Sequence, residues 1–278
     1  MGDTPQYAEW LTRIADELTD LTSSVTGRVG LAVRDLTSGQ QLAIESQRVF
    51  PSASVIKLPV LVAALAGAQG SGVGLDRTLA VPPEARVGGT GVLKDLRLAA
   101  MTVRDLLTLM IVLSDNTATN VCLEEIGVAA VQEWATRGGC VNTRCERLMM
   151  DMEARERGLS NETTAGDMAE FLARLSQGDL LSPSSTTYAQ DILRRQQSRW
   201  GLARRLPPDI DLAHKTGEQE GLRHDVGLLS VGEQQAAIAV LCDGFVDPAM
   251  DDNFVGGEAS DLLADIGELI YAAMRGDR

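Results

Sequence analysis

The sequence predicts an α/β fold: one antiparallel sheet flanked by N- and C-terminal helices, with an all-helical domain inserted between its strands. Three observations lead there. Strand-like apolar runs lie near both ends of the chain, helical periodicity fills the middle, and the two terminal segments are themselves helical. Strands from both ends most economically join a single sheet. Residues 1–48 and 200–278 then form one discontinuous α/β domain, and residues 49–199 form the helical one.

Each element has its own signal. Trp10, Leu11, Ile14, Leu18 and Leu21 recur at helical spacing, which predicts a helix over about residues 5–23. Residues 28–36 read as a strand, Thr37-Ser38-Gly39 as a turn, and residues 41–45 as the hairpin partner. From Ala53 to about Ala68 the pattern is apolar and helical. Pro59, inside that helix, is expected to leave the Val55 carbonyl without its usual donor and to bend the axis slightly. Residues 70–100, rich in Gly and Pro, read mainly as loop. Thr102 to Asp105 reads as a helix cap ahead of the apolar run 106–113. Further helices are expected over 117–126, 128–137, 165–176 and 184–196. Strand character returns at 210–216, 225–231 and 235–242, and a last helix over about 256–275 carries Leu262, Leu263, Ile266, Leu269 and Ile270.

The chain has 278 residues, 44% of them hydrophobic, and a formal net charge of −14. It is long enough to bury a large core. Its charge repels phosphate backbones and anionic bilayers, so neither nucleic acid nor membrane is an expected partner. No apolar run reaches about 18 residues. The start, Met1-Gly2-Asp3-Thr4-Pro5, carries no basic and apolar leader pattern. The chain as written is therefore expected in the cytoplasm, or in the periplasm or secreted if it has been trimmed. Cys122, Cys140, Cys145 and Cys242 form no CxxC pair, and only two His stand beside them, so no metal or other cofactor is expected. Cys140 and Cys145 could pair under oxidation, but free buried thiols are the expectation. A Ser-His-Asp triad would have to use His214 or His224, and both read as structural or rim residues. The oligomeric state stays open.

Only three of the 25 basic residues are lysine: Lys57, Lys94 and Lys215. Lysine, unlike arginine, can give up its proton near neutral pH. Ser54 and Lys57 stand three apart at the start of a predicted helix, on one face. A serine there meets free N–H groups and the positive end of the helix dipole, which favour an oxyanion. Lys57 could take the serine proton if neutral, whereas an ordinary lysine is only about 0.04% neutral at pH 7. Bringing its pKa near 7 takes about 4 kcal/mol of desolvation or like-charge repulsion. Ser114-Asp115-Asn116 falls on a turn between two predicted helices, and Lys215-Thr216-Gly217 ends a predicted strand. Each alone is an ordinary cap or strand end. As a set, in this order, they hold two of the three lysines.

The set SxxK, SDN and KTG resembles the signature of the class A serine β-lactamases and the related penicillin-binding proteins. Arg28–Gly39 is similar to that family's first hairpin, Met101–Leu106 and Ser114–Asn120 to its central helices, and Asn161–Thr164 to the end of its Ω loop. The likeness spans about residues 25–275. It implies a serine β-lactamase-like fold and an enzyme that opens the amide bond of β-lactams, or of a related small acyl substrate, through an acyl-enzyme at Ser54. The resemblance assigns the oxyanion hole to the backbone N–H groups of Ser54 and Glu218. It makes Lys57 the general base, directly or through water, with its pKa lowered by Lys215. Ser114 would pass a proton to the departing nitrogen, and Asn116 would bond the substrate's amide side chain. Lys215 and Thr216 of the Lys215-Thr216-Gly217 strand would hold the carboxylate, with Arg223 assisting.

The chain departs from that pattern where the acyl-enzyme is cleared. Family members use an Ω-loop Glu to activate water, and an Arg–Asp pair closes the neck of the loop. Arg147 and Glu162 can play the pair here, which puts Met149 at the position of the Glu. A thioether is no base. Asp151 and Glu153 are the nearest substitutes, each equally readable as a solvated loop acid. Slow deacylation is therefore expected. Two alternatives remain: an esterase or amidase on a non-lactam substrate, and a penicillin-binding sensor that is acylated without turnover. Hydrolysis of p-nitrophenyl esters without nitrocefin turnover would select the first. Stoichiometric labelling would select the second.

Overall fold

Nearly continuous burial along β1 (Arg28–Asp35) sets the architecture, because a strand with two apolar faces must be covered on both. The structure is a computed structural model that describes residues 9–70, 74–245 and 257–277. Ahead of β1 lie α1 (Trp10–Arg13) and α2 (Ala15–Ser23), separated at Ile14, where one continuous helix was expected. Residues 5–8 of that expected helix lie outside the described residues. After β1 the chain turns through Asp35, whose carboxylate accepts the Thr37 N–H at 2.8 Å and the Trp10 indole N–H at 3.0 Å, into β2 (Gln41–Ile44).

The middle of the chain runs through β3 (Phe50–Pro51), a 3₁₀ turn over Ala53–Ile56, and α3 (Lys57–Gly70). It continues through β4 (Thr78–Ala80), β5 (Ala100–Thr102), α4 (Val103–Val112), α5 (Asn116–Ile126) and α6 (Val128–Arg137). Then follow α7 (Met152–Glu156), β6 (Glu162–Thr163), α8 (Ala165–Gln177) and α9 (Pro183–Arg194). The chain returns as β7 (Asp211–Gln219), β8 (Leu222–Val231), β9 (Gln234–Asp243) and α10 (Glu258–Arg275). Residue 256, where the last helix was expected to begin, lies outside the described residues.

The five long strands form one antiparallel sheet in the order β2-β1-β9-β8-β7. Strands from both ends of the sequence thus share a sheet, and the segment between them is largely helical. One face carries Leu31, Val33, Leu229 and Val240 against α1, α2 and α10. The other carries Ala213, Val226, Leu228 and Leu241 against the helical layer, with α8 lying on β1 and β9. We propose the division into 1–48 with 200–278 and 49–199 on the strength of these two apolar cores. No described helix is long and apolar enough to cross a membrane.

Two further features differ from the sequence reading. The Gly- and Pro-rich stretch contains β4, which pairs with β5. Pro59 falls in the first turn of α3, where no intrahelical donor is required, and the Lys57 N–H points back at the Ser54 and Val55 carbonyls. The expected orphan carbonyl does not arise. All four cysteines are free and buried. Burial pushes the thiols of Cys122, Cys140 and Cys145 up to about 12, which keeps them protonated.

Candidate active site

The turn that carries Ser54 is clamped from three sides. Phe50 and Pro51 pair with Thr163 and Glu162, and the Ser52 N–H donates to the Asn161 carbonyl at 2.8 Å. From the sheet, His224 Nε2 lies 2.8 Å from the Pro51 carbonyl oxygen, and its Nδ1 lies 2.9 Å from the Arg223 carbonyl oxygen and 3.1 Å from the Cys242 nitrogen. Burial lowers the His224 pKa, against the pull of these carbonyls. His224 is thus structural, as expected, and so is His214, whose Nδ1 lies 2.8 Å from Asp225 Oδ1. On the third side Gly217 of β7 comes so near that a Cβ there would stand 3.3 Å from the Ser54 nitrogen. The chain answers with a left-handed backbone at Ala53, φ +43°. Ser54 itself is half-buried, and its hydroxyl forms no hydrogen bond among the described residues.

Lys57 opens α3 and is fully buried. Its Nζ lies 2.6 Å from the Ser114 carbonyl, 2.9 Å from Asn116 Oδ1 and 3.1 Å from Ser114 Oγ. Ser114 sits between α4 and α5 with φ +54°. Asp115 caps α5 by accepting the Ala118 N–H at 2.8 Å. The same carboxylate accepts the Val92 and Leu93 N–H groups, each at 2.7 Å. The middle residue of the Ser-Asp-Asn motif therefore fastens the pocket's outer loop to the helix. Gly91, at φ +101°, is required there, since a Cβ would stand 2.3 Å from the Asp115 carboxyl carbon.

Lys215, also fully buried, donates to Ser114 Oγ at 3.0 Å and to the Thr216 carbonyl at 2.8 Å. One hydroxyl thus joins two amines. Burial, reinforced by the nearby Lys215, holds the Lys57 pKa well below the ordinary lysine value. Burial also lowers Lys215 to about 7, against the upward pull of Asp225 and Glu218.

A pocket of about 150 Å³ opens above these amines. Ser54, Ser114, Asn116, Thr216 and Glu218 border it, with Met149 and Met150 on the loop side. Lys57, Lys215 and Gly217 lie beneath or behind that wall. Arg223 does not border it: the guanidinium stacks 5.5 Å from the Trp200 ring and donates to the Gln219 and Leu222 carbonyls. Asp151 and Glu153 are not brought to the pocket either. Asp151 caps α7 through the Ala154 N–H at 2.9 Å, and Glu153 is exposed. Among the described residues Arg147 and Glu162 form no ion pair, and Arg147 donates instead to the Leu148 carbonyl. The loop neck is closed by the Arg144–Glu162 backbone bridge and by Asn161. The Asn161 Oδ1 accepts the Glu146 and Arg147 N–H groups at 2.9 and 3.2 Å. A short neutral amide that reaches two successive N–H groups does the work expected of a longer charged pair.

Sequence reasoning missed Asn120. Its Oδ1 accepts the Met149 N–H at 2.8 Å, and its Nδ2 donates to the Met149 carbonyl at 3.1 Å. The signal was present, because Asn120 lies one helical turn beyond Asn116 on the same face.

A hydroxyl nucleophile needs a base that is neutral at working pH, and burial supplies one directly below this pocket. The class of protein so defined is the serine hydrolase. Comparison makes it particular: the chain belongs to the beta-lactamase enzyme family, whose family model matches residues 13–274. It is 30% identical over 270 residues to a beta-lactamase of Streptomyces fradiae, across 91% of this chain and 86% of that protein. Its fold is similar to that of PBP-A, with a TM-score of 0.84, 28% identity, and 96% and 97% of the two chains covered. A leucine-to-glutamate mutant of PBP-A, captured as an acyl-enzyme with penicillin G, matches equally well. The protein is accordingly a serine β-lactamase-like hydrolase of β-lactams.

Proposed function

We propose that Ser54 attacks the β-lactam carbonyl and that the resulting acyl-enzyme is cleared slowly. Lys57 takes the Ser54 proton as the Oγ–carbonyl bond forms. The backbone N–H groups of Ser54 and Glu218 receive the developing oxyanion. When the lactam C–N bond breaks, the proton passes from Lys57 through Ser114 to the departing nitrogen. Asn116 bonds the amide side chain of the substrate, and Thr216, backed by Lys215, meets its carboxylate. The observation that carries this reading is the position of Ser114 Oγ, 3.1 Å from one buried amine and 3.0 Å from the other, at the edge of the pocket that Ser54 borders. A relay whose base, Lys57, is held well below the ordinary lysine pKa by burial needs no histidine.

Slow clearance rests on Met149. This residue borders the pocket at the position that the resemblance gives to a water-activating Glu, and of the nearby acids Asp151 caps α7 while Glu153 is exposed. The same observation favours a second reading, a receptor acylated once by penicillins. The net charge of −14 supports the further proposal that neither nucleic acid nor an anionic membrane is a partner.

Intact-protein mass spectrometry with penicillin G tests the reading. An adduct of one intact penicillin is expected, absent from Ser54→Ala and persisting for minutes or longer. Fast nitrocefin turnover with no detectable adduct would overturn slow clearance. An adduct that survives in Ser54→Ala would overturn the nucleophile.

A further inference from the structure

Asn116 stands between two pocket walls whose main chains are both fixed. On one side its Nδ2 donates to the Gly88 carbonyl at 3.1 Å and its backbone N–H to the Thr90 carbonyl at 3.1 Å. Thr90 Oγ1 donates in turn to the Ser114 carbonyl at 2.7 Å. On the other side Asn120 holds the Met149 main chain through both its N–H and its carbonyl. Neither wall can yield without giving up these hydrogen bonds. Gly89, at φ +81°, has no side chain to narrow the opening, and a Cβ there would stand 2.5 Å from Asn116 Nδ2. The same Cβ would stand 3.5 Å from Met150 Sδ, so the thioether reaches across to the space directly over Gly89. Met150 does so from a left-handed backbone, φ +62°, a conformation that in residues other than glycine clusters at ligand-binding sites. Its side chain is exposed rather than packed in the core. Gly89 and Met150 both border the pocket, whose volume of about 150 Å³ falls short of the roughly 300–1,000 Å³ of sites that enclose drug-sized ligands.

We propose that Met150 is a specificity-determining residue, whose side chain bars the end of the pocket beside Asn116 and selects against lactams with a bulky group directly on the side-chain amide. The inference rests on the reading of Ser54 as nucleophile and of Asn116 as the partner of that amide. With both main chains fixed, the width beside Asn116 is set by one unbranched thioether, which moves aside only by rotation about its own bonds. A slim acyl group passes beside it. A ring joined to the amide carbonyl must displace it and lose its contact over Gly89.

The test uses one penicillin nucleus with three side chains: formamido, the phenylacetamido group of benzylpenicillin, and the dimethoxybenzamido group of methicillin, whose ring is joined directly to the amide carbonyl. The rate of Ser54 adduct formation is read by intact mass for the native chain, Met150→Ala and Met150→Leu. Alanine removes every atom beyond Cβ while keeping the backbone preferences of an L side chain, and leucine keeps a carbon as far along the side chain as Sδ. On the native chain methicillin is expected to label most slowly, with benzylpenicillin between it and the formamido compound. The methicillin-to-formamido rate ratio should rise about tenfold in Met150→Ala and stay near the native value in Met150→Leu. A ratio that does not move in Met150→Ala, while Ser54 adducts still form, overturns the bar and leaves the nucleophile standing, as does an equal rise in Met150→Leu. No Ser54 adduct from any of the three on the native chain overturns both.

Discussion

Replacing Met149 by Glu should convert slow clearance into turnover, and the backbone geometry sets the terms. Residue 149 is held by its main chain, through the two Asn120 bonds at 2.8 and 3.1 Å, so its position does not depend on the side chain it carries. A carboxylate at 149 would project where the thioether now borders the pocket. A positioned general base contributes about 10²- to 10⁴-fold to a hydrolytic step, or about 2.7–5.5 kcal/mol of barrier. Against this stands one cost: a new negative charge near Lys57 raises the pKa of that amine and slows acylation, by about tenfold at most. The assay follows decay of the penicillin adduct after excess lactam is removed, with nitrocefin turnover measured in parallel. In Met149→Glu the adduct should decay at least about 100-fold faster, and adding Asn120→Ala should forfeit most of that gain. If a Met149→Glu protein with native thermal stability keeps the native adduct lifetime, the missing carboxylate does not limit clearance, and the reasoning is refuted.

Two further outcomes follow from the buried charges. Lys215 sits at about 7 in the folded protein and near 10.5 in the unfolded chain, so between those values the unfolded state binds the extra proton and stability rises with pH. Below pH 7 the full penalty is present. Lys215→Met should flatten the slope by about 1.4 kcal/mol per pH unit, measured as urea unfolding free energies at pH 7.5 and 9, and an unchanged slope would contradict the burial argument. Asp115→Ala removes the acceptor of three backbone N–H groups, those of Val92, Leu93 and Ala118, and should cost about 3–5 kcal/mol in the same assay. A loss under about 1 kcal/mol would show that the pocket loop is held by something else.

The long elements were legible because they carry a period. The apolar recurrence of Leu262, Leu263, Ile266 and Ile270 marks a buried helix face, and the three late strands each exceed eight residues. The pairs β3–β6 and β4–β5 were not legible, since strands of two or three residues are too short to show an alternation. They exist through their partners. Ser54, the two amines and Ser114 were visible because lysine is rare in this chain and each lies in a compact motif. The Ω-loop neck was misread for an instructive reason: a charge pair is easy to see in a sequence, whereas one asparagine bridging successive N–H groups looks like any loop residue. The placement of Asp151, Glu153 and Arg223 depends on which of several polar partners each prefers, and spacing alone does not rank them.

Ser114 carries one more consequence. Its left-handed main chain, φ +54°, directs both its carbonyl and its hydroxyl onto the same amine. Rotation about a single bond would withdraw both oxygens together. The hydrogen bonding of Lys57 is therefore tied to the shape of one connector, and a variant that relaxes residue 114 toward an ordinary conformation would loosen two of the three contacts of its amine.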